Sequence, residues 1–190
     1  MSGPGDWDWK LREAADRIRT RYEHIGRKTG APFLAIVYPP EAERTVLREW
    51  HTQTTSLSPE FSVHKVDVLE VTSRVVQKFG AEALVDSIKE PMPGSDPTSE
   101  LGAMWTSEVV GAVREAAKKP GPGRPVVSIE RLAALYPASG PRAVMQSLWD
   151  SEHAALDGPV VLLVPGVIIE ARVYSFLGRV EEFMYRGDIL

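Results

Sequence analysis

The sequence contains no cysteine among its 190 residues. A chain without thiols has no disulfide framework, no cysteine-ligated metal site and no thiol nucleophile. Long apolar runs are missing as well, because runs such as 33–38 and 160–164 are far below the roughly 18 residues that span a bilayer. The N-terminus carries neither the basic nor the apolar part of a secretory signal peptide. We therefore expect a cytoplasmic protein with no membrane segment.

A strong excess of charge is also missing. Lys and Arg number 22 against 26 Asp and Glu, so the net charge is −4 at pH 7. This balance excludes a whole-molecule polycation built for nucleic acid, although it leaves room for a local basic patch. Two groups of cations could form such a patch: Arg12, Arg19, Arg27 and Lys28 near the N-terminus, and Lys118, Lys119 and Arg124 in a later loop. One alternative function is therefore a nucleic-acid contact module.

Catalytic and cofactor motifs are missing too. The sequence has no G-x-G-x-x-G fingerprint, no G-x-S-x-G elbow and no pair of histidines at helical spacing. We therefore predict no cofactor, no metal and no enzymatic activity. Asp67 and Glu70, at the end of a predicted strand, are the carboxylates best placed for acid–base chemistry. Stabilisation of a helix N-terminus explains the same two residues equally well.

Amphipathic helices alternate with short apolar strands along the chain. Residues 1–30 contain a helix whose apolar stripe runs from Trp7 to Ile25 in steps of three and four, which predicts packing on a core. Runs of β-branched and aromatic residues predict four strands, at 33–38, 61–68, 126–129 and 160–164. Strands that alternate with helices indicate right-handed crossovers. We therefore expect a three-layer α/β fold, with a mostly parallel central sheet and helices on both faces.

Two segments rich in proline and glycine, 90–97 and 118–125, predict internal loops. Neither is long enough to separate two cores, so residues 1–190 are predicted to form a single domain. Asp96 followed by Pro97 is a typical N-cap and first-turn pair for a helix. We also expect Pro165-Gly166 to end the fourth strand, and Leu69, Val75, Val76 and Phe79 to point inward from the helix that follows the second strand.

Ligands of open α/β folds bind beyond the carboxyl ends of the strands. The first strand is followed by Pro39-Pro40-Glu41, where two prolines lack N–H groups and the glutamate repels anions, so a phosphate-binding loop is excluded. The later strand ends carry Arg and Tyr on loops, a composition typical of protein-binding surfaces. We predict a partner-binding set made of Tyr136, Arg142, Phe176, Arg179, Tyr185 and Arg186.

Five short segments also share their order and spacing with a known family. They are Ile36-Val37-Tyr38-Pro39-Pro40-Glu41, Ala134-Leu135-Tyr136-Pro137 with Arg142, Val144 and Leu148, Val161-Leu162-Leu163-Val164-Pro165-Gly166, Ser175-Phe176-Leu177-Gly178-Arg179-Val180, and Met184-Tyr185-Arg186. With these segments, roughly residues 15–190 resemble the BrxB proteins of bacterial BREX phage-exclusion systems. The chain departs from the family pattern at 130–132 and 167–170, where the family has glycine-rich or more polar turns.

The resemblance implies a non-enzymatic adaptor or scaffold of a BREX-type bacteriophage defence system. The implied partners are a PglZ-like protein and other BREX subunits, including an AAA-type ATPase and a DNA methyltransferase, with nucleic acid contacted indirectly at most. The implied fold is like a P-loop or AAA-type ATPase core that has no phosphate loop. Besides the nucleic-acid module, a small-molecule or nucleotide-binding enzyme that uses Asp67 and Glu70 is the remaining alternative. The sequence also leaves open a homodimer.

Overall fold

A computed structural model describes residues 7–25, 32–150, 156, 158–184 and 187–190. These residues form six α-helices and seven strands. The helices are α1 (Asp8–Arg21), α2 (Glu43–Thr55), α3 (Val68–Phe79), α4 (Ala81–Lys89), α5 (Pro97–Ala117) and α6 (Pro141–Asp150). The strands are β1 (Phe33–Tyr38), β2 (Phe61–Asp67), β3 (Arg124–Glu130), β4 (Val160–Glu170), β5 (Val173–Phe176), β6 (Arg179–Glu182) and β7 (Asp188–Ile189).

Five strands pair side by side in the order β2-β3-β4-β1-β7, and every pair in this series is parallel. The register places Tyr38 beside Pro165 and Asp67 beside Glu130, so polar residues of neighbouring strands meet at the carboxyl edge. Beyond Pro165, β4 pairs antiparallel with β5, and β5 pairs antiparallel with β6. The predicted α/β fold with a mostly parallel sheet is confirmed.

Helices cover both faces of this sheet. Side chains of α3, α5 and α6 pack on one face, and those of α1 and α2 pack on the other. The run Phe33–Tyr38 is buried throughout because its alternate residues point into the two different cores. A strand with two buried faces therefore needs a continuous apolar run rather than an alternating one.

The N-terminal helix covers the sheet as its periodicity predicted. Its apolar positions from Trp7 to Ile25 are all buried: Trp7, Leu11, Ala14, Ile18, Tyr22 and Ile25. The Tyr22 hydroxyl also donates a 2.7 Å hydrogen bond to the carbonyl of Pro125, which links the end of this segment to β3. The stripe and the long-range bond together attach α1 to the core.

The predicted end of the fourth strand at Pro165-Gly166 is wrong. Pro165 is the last residue of β4 in register with β1, and Gly166 is the first in register with β5. A proline is tolerated at this position, where β4 stops pairing with β1 and starts pairing with β5. No further hydrogen bond between β4 and β1 needs the N–H that proline lacks. The strands β5, β6 and β7 were not predicted.

The inward face predicted for the helix after β2 is partly wrong. Leu69 and Phe79 are each 46% exposed, whereas Val68, Val71 and Val75 are buried. The helix begins directly at Val68, because the Asp67 side chain caps it by accepting hydrogen bonds from backbone N–H groups. This start rotates the buried stripe by one position from the predicted one.

The loops lie close to their predicted positions. Asp96 accepts a 3.1 Å hydrogen bond from the N–H of Ser99, so the predicted cap of α5 is confirmed. The second loop is shorter than 118–125, because β3 already begins at Arg124. Among the helices that the structure describes, none combines the length and the apolar character needed to cross a bilayer.

Candidate functional site

The chain leaves β1 through Pro39 and Pro40, neither of which has an N–H group to offer a ligand. The hydroxyl of Tyr38 instead donates to the carboxylate of Glu43 at 3.1 Å. Burial, together with the negative charges of Glu43 and Glu130, raises the pKa of Tyr38 well above its usual range. The start of α2 therefore holds a carboxylate of the protein, which the N-terminal end of a helix favours.

A buried polar network occupies the carboxyl end of β3. Glu130 is 2% exposed, and its carboxylate lies 2.8 Å from Nε2 of His51. Ser128 donates to Glu130 at 3.1 Å and accepts from the indole N–H of Trp50 at 2.9 Å. These contacts satisfy the carboxylate from inside the protein and connect α2 to β3. No functional role was predicted for His51 or Glu130 from the sequence.

The two carboxylates of the acid–base alternative lie in different surroundings. Asp67 is buried, accepts a 3.1 Å hydrogen bond from the N–H of Leu69, and pairs with Arg131 at 3.5 Å. Lys65 adds a further ion pair at 3.8 Å. Glu70 is exposed on the first turn of α3. Asp67 therefore acts as a helix cap and ion-pair partner in this structure.

A third buried carboxylate, Glu181 on β6, lies on the α6 side of the protein. Its oxygens accept from the hydroxyl of Tyr174 at 2.6 Å and from Nη2 of Arg179 at 2.6 Å. They also accept from the backbone N–H of Arg142 in the first turn of α6, at 3.3 Å. A carboxylate is favoured at this helix end, where N–H groups point outward. Burial and the Glu181 charge raise the pKa of Tyr174 far above its usual range.

The hairpin between β5 and β6 sets this geometry. Leu177 and Gly178 have φ values of 50° and 91°, as a two-residue type I′ turn requires. The resulting register places Tyr174 directly opposite Glu181 and Phe176 opposite Arg179. The short turn fixes the register of the hairpin. The aromatic residues of β5 therefore lie opposite the charged residues of β6.

Four of the six predicted partner-binding residues meet at this cluster. The ring of Tyr136 contacts that of Phe176 edge-on, with 6.2 Å between centroids, and the Arg179 guanidinium lies 5.9 Å from the Phe176 centroid. Tyr136 is 45% exposed and Arg142 is exposed on α6. Phe176 is fully buried, so it supports the Tyr136 ring from the core and presents no surface of its own. The other two predicted residues, Tyr185 and Arg186, lie outside the described residues.

Gly140 brings the chain close to the carboxylate. A Cβ atom at this position would lie 2.1 Å from Nη2 of Arg179 and 2.5 Å from Oε1 of Glu181. A side chain at this position would displace the ends of the Arg179 and Glu181 side chains. Gly140, Tyr174 and Glu181 were missed by sequence reasoning, and Gly178 between two short segments with β-branched and aromatic residues was the weak signal for the hairpin.

A cavity of about 600 Å³ lies beside the cluster, between α6 and the segment that contains β5 and β6. Its wall includes Arg142, Trp149, Arg172 and Glu182. The volume falls within the range of small-ligand pockets, and it is large enough for one or two side chains of a partner. Arg142 thus borders the cavity, while its backbone N–H contacts Glu181.

The cations of the nucleic-acid alternative have protein contacts of their own. Arg12 forms an ion pair with Asp8 one turn earlier, and Arg19 donates to the hydroxyl of Ser56 at 2.6 Å. Arg27 and Lys28 lie outside the described residues. In the later group, the Arg124 guanidinium stacks on the rings of Tyr22 and Phe61 at 4.3 and 4.8 Å, while Lys118 and Lys119 are exposed.

The chain was also compared with known proteins. No protein family model, no curated protein and no solved structure matches it.

Proposed function

We propose that this chain is a non-enzymatic adaptor of a BREX-type bacteriophage defence system, and that it binds a larger subunit such as a PglZ-type protein. One observation carries the proposal. The segments that resemble BrxB proteins at 134–137, at Arg142 and at 175–180 are far apart in sequence, yet they meet around Glu181. Segments that converge in this way define one face, which we call the Glu181 face.

The chemistry of the Glu181 face suits protein recognition. Tyr and Arg are the residue types that most often dominate binding energy at interfaces. The Arg179 side chain is held by Glu181 and by the carbonyl of Pro137 at 3.4 Å, and the Tyr136 ring rests on Phe176. Side chains that are already ordered lose less conformational entropy when a partner binds.

The proposal also covers the type of α/β core that this chain has. In the parallel series, β1 lies between β4 and the short C-terminal strand β7, so its carboxyl end is inside the sheet edge where open α/β folds bind ligands. At the exit of β1, Pro39 and Pro40 remove the N–H groups that a phosphate loop needs, and Glu43 occupies the start of α2. We infer an AAA-like core without a phosphate loop, used as a scaffold.

Binding to a purified PglZ-type protein tests the proposal. We expect the wild-type chain to co-migrate with this partner at micromolar concentration. Tyr136→Ala and Arg142→Ala should each weaken binding at least tenfold, as expected for residues that dominate an interface. The matched controls are Trp9→Ala and Arg48→Ala, exposed residues of α1 and α2 on the opposite layer, and they should bind like the wild type.

Two results would count against the proposal in different ways. If the wild-type pair migrates separately, the adaptor function is refuted. If the pair binds and neither Tyr136→Ala nor Arg142→Ala weakens it, another face carries the interaction. The nucleic-acid alternative makes a separate prediction, a mobility shift at low salt that disappears steeply as salt rises.

A further inference from the structure

Strand β2 lies at one end of the parallel series, so β3 is its single partner among the strands that the structure describes. Its residues 62–64 are half-buried and Lys65 is exposed, whereas β1, inside the sheet, is buried throughout. A sheet edge of this kind carries a row of unpaired main-chain groups with which another extended chain can pair.

The direction of the main-chain groups of β2 follows from its first hydrogen bonds. The N–H of Arg124 donates to the carbonyl of Glu60 at 2.9 Å, while the N–H of Phe61 points the other way and bonds to the preceding turn. Successive residues of a strand turn these groups to opposite sides, so the N–H and C=O groups of Val63 and Lys65 face away from β3. Within the described residues no hydrogen bond uses these four groups. The free edge therefore offers two donors and two acceptors to an extended chain.

A groove of about 390 Å³ opens over this edge. Its lining combines the end of α2, which covers one face of the sheet, the loop 120–122 that follows α5 on the other face, and residues 61–64 of β2. The Ser62 hydroxyl holds the loop in place by donating to the carbonyl of Pro122. Nε2 of His64 is buried and has no hydrogen-bond partner in the described part of the chain. Buried polar atoms are rarely left unpaired, so the groove has hydrogen-bonding capacity that the chain itself does not use.

The surroundings of the edge are positively charged. Lys65 lies on the strand, and Lys118 and Lys119 come directly before the loop that lines the groove. The last two are exposed and form no ion pair with any described residue. Glu60 and Asp67, at the two ends of the strand, are each paired with an arginine. An exposed lysine discourages pairing with a second copy of the same edge, because like charges would meet, and it favours an acidic occupant.

We propose that the free edge of β2 is the docking site for an extended, acidic segment of a partner protein, which adds a strand to the sheet by pairing with the main-chain groups of Val63 and Lys65. In this mode of recognition the main-chain hydrogen bonds supply affinity, and the groove beside the edge selects side chains. The lysines attract negative charge on the segment and reject positive charge. The site lies on β2 and not on the Glu181 face, so it goes beyond the proposed function and does not depend on it.

The probe is a synthetic peptide as long as the seven residues of β2, blocked at both ends, in which glutamate alternates with valine or threonine. We expect fluorescence anisotropy to show saturable binding of the labelled peptide to the full chain. Hydrogen exchange followed by nuclear magnetic resonance should slow at the N–H groups of Val63 and Lys65. Methylating every second backbone nitrogen gives two matched peptides. The one whose methyl groups face β2 should bind at least about tenfold more weakly than the other, because it cannot donate to the edge.

Variants of the chain separate the main-chain contacts from the charges. Lys65→Pro removes an outward N–H, and proline is tolerated at such a position of an edge strand. It should weaken peptide binding at least about tenfold beyond Lys65→Gln, which removes the charge alone. Lys118→Glu/Lys119→Glu should also weaken binding, whereas the charge-matched control Lys78→Glu/Lys89→Glu, on exposed residues of α3 and α4, should not. Circular dichroism checks that Lys65→Pro folds, and the methylated peptides carry the same test if it does not.

Several results would overturn the proposal. They are a peptide that does not bind, equal affinity for the two methylated peptides, and binding that leaves hydrogen exchange at Val63 and Lys65 unchanged. If a single-stranded oligonucleotide binds instead and depends on Lys118 and Lys119 alone, the surface is a phosphate contact and strand addition is refuted. Lys65→Pro should still co-migrate with a PglZ-type protein, so failure of this proposal is distinguishable from failure of the adaptor function.

Discussion

Replacing Glu181 by Gln should destabilise the protein by about 2–3 kcal/mol, although the side chain keeps its shape. An amide has one acceptor oxygen, so it cannot accept from Arg179 on one side and from both Tyr174 and the Arg142 N–H on the other. Hydrogen bonds to charged groups contribute about 1.5–3 kcal/mol, and a buried donor left without an acceptor costs about 1–3 kcal/mol. The Arg179 side chain is 38% exposed, so water screens its ion pair and most of the loss comes from the buried donors.

Urea unfolding monitored by circular dichroism measures this effect. At about 2–4 °C per kcal/mol for a chain of this size, the melting temperature should also fall by roughly 5–10 °C. The matched control is Glu182→Gln on the same strand, an exposed position where the change should stay within about 0.5 kcal/mol. In a double-mutant cycle, Tyr174→Phe and Glu181→Gln should be non-additive, because they remove the same hydrogen bond. If Glu181→Gln costs no more than Glu182→Gln, the carboxylate does not organise this face and the reasoning fails.

Two further predictions concern stability. Burial and neighbouring carboxylates raise the pKa of Tyr38 and Tyr174, so both should stay protonated in the folded protein above about pH 10, where tyrosine ordinarily ionises. Because the unfolded chain releases those protons there, stability should be unaffected below about pH 10 and fall above it; an ultraviolet titration in which both phenols ionise before unfolding would contradict this. Gly123→Ala should cost more than about 2 kcal/mol in urea unfolding, since its φ is 78° and a Cβ would lie 2.0 Å from the Glu60 carbonyl oxygen. Gly94→Ala, with φ 84° and open space around it, should cost only about 1 kcal/mol, and equal losses would show that the close contact is unimportant.

Much of the fold could be predicted from local patterns. The uninterrupted apolar run at 33–38 indicated a strand buried on both faces, and the stripe from Trp7 to Ile25 indicated a covering helix. Both predictions succeed because the period of the apolar residues reflects how many faces an element buries. Asp96 before Pro97 was similarly informative, since a cap is a contact between residues three apart in the chain.

The strands that were missed have weaker local signals. The β5 and β6 strands have four residues each and β7 has two, so an alternating pattern has little length in which to appear. β4 continues past Pro165 because β5 is available to pair with it. The general preference of proline for strand ends gives no information about such a partner. Exposed Leu69 shows the same limitation, because the rotation of α3 depends on where Asp67 starts the helix.

The candidate site also has a part that the sequence could predict and a part that only the packing creates. Residue types alone directed attention to Tyr136, Arg142 and Arg179, and to the prolines that remove the N–H donors after β1. By itself the sequence therefore determined the class of fold, the lack of N–H donors at Pro39 and Pro40, and the kinds of side chain available for binding. Only the tertiary structure brought residues from 136 to 181 together around Glu181 and placed Phe176 beneath Tyr136. The physical reason is distance along the chain: a buried carboxylate takes its donors from whatever elements the packing places beside it, and no local pattern records that choice.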